Sequence, residues 1–128
     1  MDNLLPITLG TVVLDCPDTG SLSDFYIKML GWKKTYHSDE WIDIQPPNGG
    51  TKLGFQKNPD YVPPIWPEEP PGQQQMLHID FAVSSTEKME EAVRHAIACG
   101  ATKAQTQYDS RWTVMIDPAG HPFCFVVW

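Results

Sequence analysis

Three side chains in the second half of the sequence have the chemistry to bind a metal or to move a proton. His78 and Asp80 are separated by one residue, so they share a face if this segment is a strand, and Cys124 lies among phenylalanines. Such a histidine is a metal ligand, a general base, a polar contact or an ordinary core residue, and the cysteine is a reactive thiol or an inert packing residue. The shared face favours polar contacts, so we predict that these three residues bind a ligand and that none is catalytic.

Aromatic side chains are the second chemical signal. Five Trp is a high number for a chain of 128 residues. We predict that Trp41, Phe55, Trp66 and Trp112 line a cleft that stacks on a planar or hydrophobic ligand. The alternative is that they fill the core, which is less expected for Trp66 because it lies in a proline-rich segment.

The composition excludes several classes of protein. Nine Lys and Arg against 16 Asp and Glu give a net charge of −7, which argues against nucleic-acid and anionic-membrane partners. Hydrophobic residues make up 41% of the chain, enough for a core, yet no apolar run approaches the roughly 20 residues of a membrane helix. Three widely spaced cysteines favour reduced thiols. Because the N-terminus also carries no secretory pattern, we expect a cytoplasmic protein.

The hydrophobic periodicity predicts one domain, residues 1–128, built from two copies of the same arrangement. In residues 1–56 and again in residues 77–128, a strand is followed by an amphipathic helix, a glycine and about three strands. Residues 57–76 hold half of the 12 prolines and are predicted to be an extended linker. The expected fold is therefore α+β, with two βαβββ modules that form a curved mixed sheet around a concave cavity.

Capping signals set the expected helix boundaries. Thr19 or Ser21 begins the first helix and Gly31 ends it; Ser84 begins the second and Gly100 ends it. The strands are predicted over residues 7–16, 32–36, 40–44, 52–56, 77–83, 101–107, 112–116 and 122–128.

Several sequence motifs resemble the vicinal oxygen chelate superfamily, which contains glyoxalase I, extradiol dioxygenases and bleomycin-resistance proteins. The motifs are VVLDCPD at 12–18, DFY at 24–26 with LGW at 30–32, LHIDFAV at 77–83 and DPAGHPF at 117–123. Their order and spacing span nearly the whole chain. The LGFQ segment at 53–56, with the proline-rich linker after it, is most similar to the glyoxalase-like subgroup.

The resemblance implies four candidate metal-ligand positions, on the first and last strands of each module. They fall on Gly10, near Leu53 or Gly54, on His78 and on Cys124. Only the last two carry a ligand atom, whereas a catalytic metal usually has three protein ligands. We therefore expect no cofactor, with a divalent metal held by His78 and Cys124 as the alternative.

The leading hypothesis is a protein that binds a hydrophobic or aromatic small molecule without catalysis. Resemblance to the drug-sequestering branch makes antibiotic sequestration its most concrete form, acting by mass action. The alternatives are a metal-dependent lyase, isomerase or dioxygenase of the glyoxalase type, and a metal-free enzyme with His78 as general base. The resemblance also implies a homodimer, and the position of Trp128 at the end of the last strand is compatible with one.

Overall fold

Each half of the chain folds into a four-stranded sheet with one helix. The computed structural model describes residues 5–127. The elements of the first half are β1 (Thr11–Cys16), α1 (Thr19–Leu30), β2 (Lys33–His37), β3 (Trp41–Gln45) and β4 (Lys52–Lys57). Those of the second half are β5 (Ile79–Val83), α2 (Thr86–Cys99), β6 (Thr102–Lys103), β7 (Trp112–Ile116) and β8 (Pro122–Val127). No helix in this part of the chain is long and apolar enough to cross a membrane.

The two sheets have the same topology. Their strand orders are β1-β4-β3-β2 and β5-β8-β7-β6. In each sheet the first strand is parallel to the last one, and the other pairs are antiparallel. The predicted α+β fold with two βαβββ modules is confirmed. We expected one curved sheet, but within residues 5–127 β1 and β5 each pair on one side only, so the strands form two sheets.

Each helix is capped by a residue next to an expected one. Asp18 caps α1 in place of Thr19 or Ser21, because its carboxylate accepts hydrogen bonds from two backbone N–H groups of the first turn. Its negative charge also lies at the positive end of the helix dipole. Ser85, not Ser84, caps α2 in the same way. At the other end of α1, the expected C-terminal glycine adopts a left-handed φ of 71°.

The strand that we expected over residues 101–107 is only two residues long. The Ala104 N–H still donates to the carbonyl of Val114 at 3.1 Å, and beyond it a side chain replaces the ladder. The Gln107 amide donates to the carbonyl of Val114 at 2.9 Å and accepts from the N–H of the same residue at 2.8 Å. This amide satisfies the β7 backbone, so the segment between β6 and β7 is left as a loop.

The core is continuous across the two modules. The ring of Tyr26, on α1, stacks on Phe55 of β4 at 5.7 Å and meets Phe123 of β8 edge-on at 6.1 Å. The Tyr26 hydroxyl donates a 2.7 Å hydrogen bond to the carboxylate of Asp117 in the second module. Burial raises the pKa of the Asp117 carboxyl above its usual range. These contacts join the modules through apolar packing and one buried polar bond.

The proline-rich segment between β4 and β5 folds back on the second module. The backbone N–H of Ile65 donates to the carbonyl of Gln73 at 2.9 Å, which closes a loop within the segment. The hydroxyl of Tyr61 donates to the carbonyl of Ala119 at 2.8 Å, and Trp66 makes an edge contact with Tyr108. Its aromatic residues therefore pack against the protein, and they bring Trp66 over the second sheet.

Candidate ligand-binding site

A cavity of about 520 Å³ lies on the face of the second sheet that points away from α2. Side chains alternate along β5 and β8, so Phe81, Phe123 and Phe125 enter the core while Asp80 and Cys124 face the cavity. Ligand pockets for drug-sized molecules are typically about 300–1,000 Å³. The volume therefore suits one small organic molecule.

One side of the cavity is a wall of aromatic rings. Trp66 from the proline-rich segment meets Tyr108 edge-on, with 5.9 Å between the ring centroids, whereas Trp112 lines the cavity from strand β7 of the sheet. The guanidinium of Arg111 covers Trp112 at 5.4 Å and forms a two-pronged ion pair with Asp109. This ion pair holds the exposed guanidinium of Arg111 beside Trp112.

The cavity lining also contains a polar cluster. His78 Nε2 lies 3.2 Å from Asp80 Oδ1. Asp80 is the register partner of Cys124 on the neighbouring parallel strand. One ligand atom from each of the three residues lies within 4.8 Å of the other two. Two adjacent strands thus bring an imidazole, a carboxylate and a thiol to one point.

The thiol at this point is not a nucleophile in the protein as described. Burial raises the pKa of Cys124 to about 11, and the charge and hydrogen bond of Asp80 add to the shift. The thiolate is the reactive form of cysteine. Near neutral pH the group is protonated and acts as a weak donor to Asp80.

Two polar atoms of the cavity lining are buried without a hydrogen-bond partner among residues 5–127. They are Nε1 of Trp66 and Oε1 of Gln75, both on the proline-rich segment. A buried unsatisfied group costs about 1–3 kcal/mol. The cost falls on the packing of the proline-rich segment, because neither atom has accessible surface for a ligand to contact.

The structure brings five of the seven residues predicted to bind a ligand to this cavity. They are Trp66, His78, Asp80, Trp112 and Cys124. Phe55 is 0% exposed and stacks on Tyr26, so it fills the core instead of lining the cleft. Trp41 lies on the other sheet, where its Nε1 donates to Asp43 at 2.6 Å. The expected cleft of four aromatic residues is therefore wrong for two of its members.

Comparison with protein families settles the assignment. The model of the glyoxalase-like domain matches residues 11–126. The chain belongs to the glyoxalase-like family. The resemblance to the vicinal oxygen chelate superfamily is thereby confirmed. No curated protein sequence matches the chain.

Solved structures of glyoxalase-like proteins share the fold at low sequence identity. A glyoxalase/bleomycin resistance protein/dioxygenase family enzyme from Burkholderia phytofirmans PsJN is 20% identical, with a TM-score of 0.73 over 93% of this chain and 97% of that one. A glyoxalase-related enzyme from Fulvimarina pelagi is 14% identical, with a TM-score of 0.72 over 97% and 89%. A lactoylglutathione lyase from Agrobacterium tumefaciens is 13% identical, with a TM-score of 0.65 over 95% and 94%. At these identities the likeness concerns the fold alone.

A metal site shared by both modules, which the superfamily resemblance implies, does not fit this glyoxalase-like chain. His78 lies seven residues before the cap of α2, and the equivalent residue before the cap of α1 is Thr11, not Gly10 as we expected. Gly54, the fourth-strand position, has no room for a ligand. A Cβ there would lie 3.0 Å from Thr11 Cγ2 and 3.1 Å from the ring of Trp41. The first sheet therefore offers no carboxylate or imidazole at these positions.

Sequence reasoning missed several cavity residues. Val114 and Val126 carried a usable signal, since each lies two residues from a predicted site residue on the same strand. Tyr108, Arg111 and Gln75 carried none, because they lie in segments without helix or strand periodicity.

Proposed function

We propose that the protein binds a flat hydrophobic or aromatic small molecule in this cavity and releases it chemically unchanged. The observation that carries the proposal is that three aromatic rings line the cavity, Trp66 and Tyr108 from loops and Trp112 from the sheet, around space that no part of residues 5–127 fills. Stacking on such rings contributes about 0.5–1.5 kcal/mol beyond the area buried. A planar ring system is the ligand class that uses all three side chains.

The polar groups of the cavity favour a ligand with hydrogen-bonding atoms at its edge. Asp80 supplies an acceptor, and His78 beside it supplies an imidazole ring in the same part of the cavity lining. Aromatic antibiotics combine a planar ring system with polar edges, so antibiotic sequestration is the biological form that we propose. Its mechanism is mass action, in which the bound fraction lowers the free concentration of the drug.

Calorimetric titration of the full chain with a panel of aromatic antibiotics tests this function. We expect saturable binding by at least one compound, and mass spectrometry of that compound after release should show it intact. Trp66→Ala and Trp112→Ala should each weaken binding about tenfold, because each removes a stacking surface. Trp32→Phe is the matched control, since Trp32 packs against the core. Binding by no compound, or conversion of the bound compound, would contradict the proposal.

We also propose that the chain works as a homodimer. Among the residues before β1, Leu5, Ile7 and Leu9 are exposed to 76%, 80% and 68%, and β1 itself is a sheet edge. Exposed apolar segments at a sheet edge are typical of association surfaces. Trp128, which we considered as an interface residue, lies outside the described residues.

Sedimentation velocity checks the assembly. We expect a dimer for the parent chain and a shift toward monomer when Ile7 and Leu9 are both changed to Asp, because two charges would have to be desolvated. Val62→Asp, at another exposed apolar position, should leave the dimer intact. A parent chain that sediments as a monomer at every concentration rules the dimer out.

A further inference from the structure

We infer that the cavity selects planar aromatic molecules that carry a positive charge, and that Asp80 and Asp109 determine this preference. The selectivity rests on the proposed function and narrows its ligand class, since a flat ring system can be neutral, cationic or anionic. The charged groups of the cavity lining indicate the sign. Among the lining residues that the structure describes, only His78, Asp80 and Arg111 have side chains that can be charged near neutral pH.

The positive charge in the lining is already neutralised. The Arg111 guanidinium donates two hydrogen bonds to the Asp109 carboxylate, at 3.0 Å to one oxygen and 2.9 Å to the other. The backbone N–H of Arg111 donates a third to the same carboxylate at 2.8 Å. Such a two-pronged pair fixes the geometry of both charges. An anionic ligand would have to compete with Asp109 for this guanidinium, so the cavity offers anions little attraction.

The negative charge in the lining has no permanent counter-charge. Within residues 5–127, neither Lys nor Arg forms an ion pair with Asp80. Its neighbours are His78, which is charged only when protonated, and the Cys124 thiol, which keeps its proton. The Asp80 side chain is 42% exposed, so a ligand in the cavity can approach the carboxylate. A cationic ligand would supply the missing charge.

The aromatic rings favour the same sign. The face of an aromatic ring carries negative charge density and attracts cations. The protein itself shows this for Trp112, because the Arg111 guanidinium lies 5.4 Å from the centre of that ring. Trp66 and Tyr108 add two further rings to the lining. The net charge of −7 also attracts cations over a longer range. A neutral ligand uses only the rings, whereas a planar cation uses the rings and Asp80.

Three acridines of nearly the same shape and different charge test the selectivity. N-methylacridinium is cationic, acridine is neutral and acridine carboxylate is anionic. They are titrated against the full chain by fluorescence at slightly alkaline pH, where imidazole groups are mostly neutral. We expect N-methylacridinium to bind about tenfold more tightly than acridine, and acridine carboxylate to bind more weakly than acridine. High salt should narrow these differences, because it screens half-exposed charges.

Variants that remove one charge assign the preference to the two carboxylates. Asp80→Asn should reduce the preference for N-methylacridinium over acridine to about threefold or less. Asp109→Asn releases Arg111, so it should weaken N-methylacridinium and strengthen acridine carboxylate, each about threefold. Opposite changes for ligands of one shape report charge and not a damaged fold. Asp39→Asn is the matched control, because Asp39 is exposed in the turn between β2 and β3, and all three affinities should stay unchanged.

Three outcomes would overturn the selectivity. They are equal affinities for N-methylacridinium and acridine, a preference that survives both Asp80→Asn and Asp109→Asn, and no binding of any of the three acridines. The antibiotic panel keeps this result separate from the proposed function. Binding of an antibiotic by a protein that shows no charge preference would refute only the present inference. Preferential binding of N-methylacridinium without binding of any antibiotic would refute only antibiotic sequestration.

Discussion

At the scale of single residues, Cys16 shows how burial changes the chemistry of a thiol. The side chain is 0% exposed at the end of β1, and its Sγ lies 3.7 Å from the carbonyl oxygen of Gln56. Burial raises the pKa of the thiol to about 11, and the carboxylates of Asp18, Asp117 and Asp15 add to the shift. Cys16 is thus a packing residue whose ionisation the folded state resists.

This shift predicts a loss of stability at alkaline pH. Below the ordinary thiol pKa of 9.0 both states keep the proton, so the contribution is fully present. Between that value and about 11 the unfolded chain loses the proton first, and the free energy of unfolding falls as pH rises. Urea unfolding measured across this window should show a shallower decline for Cys16→Ala than for the parent chain. Cys99→Ala should keep the parent slope, and equal slopes for all three proteins would contradict the prediction.

At the scale of elements, hydrophobic periodicity predicted the order of strands and helices. The errors concerned the residues that cap the helices. Apolar spacing alone indicated α1 and α2, because their buried residues recur on one face. The expected caps were wrong because several adjacent Asp, Thr and Ser side chains can accept the same backbone hydrogen bonds. A separate error of one residue arose where Leu9-Gly10 was aligned with Leu77-His78, which assigned the ligand position to Gly10 instead of Thr11. Register errors of one residue matter in strands, since they exchange the two faces.

The cavity divides into parts that the sequence predicts and parts that it does not. Alternation along β5 and β8 placed His78, Asp80 and Cys124 on one side, although it did not indicate that Asp80 completes a set of three donors. The aromatic wall depends on Tyr108 and Trp66, which lie in segments without periodicity. Their positions follow from long-range packing of the proline-rich segment, which no local pattern encodes. Phe55 was assigned to the cleft because the sequence did not determine which face of β4 carries its side chain.

At the scale of the whole molecule, the two modules share a core, but the cavity belongs to the second module only. The first module contributes α1 and an open sheet face on which Trp41, Asp43 and Lys52 engage one another. The second module and the proline-rich segment supply the cavity and all of its polar donors. A rigid connection between modules therefore matters for the site, because Tyr61 ties the covering segment to the second module and Tyr26 ties the second module to the first.

Removal of the hydrogen bond between Tyr26 and Asp117 tests that connection directly. Tyr26→Phe keeps the ring in the aromatic core but leaves a buried carboxylate oxygen, on a residue that is 4% exposed, without its hydroxyl donor. An unsatisfied buried acceptor costs about 1–3 kcal/mol, so the free energy of unfolding in urea should fall by that amount. Because the core is continuous, we expect a single cooperative transition in both proteins. Tyr36→Phe, on the exposed strand β2, should match the parent chain. Two separate transitions would show that the modules unfold independently, and an unchanged midpoint for Tyr26→Phe would show that the bond contributes nothing to stability.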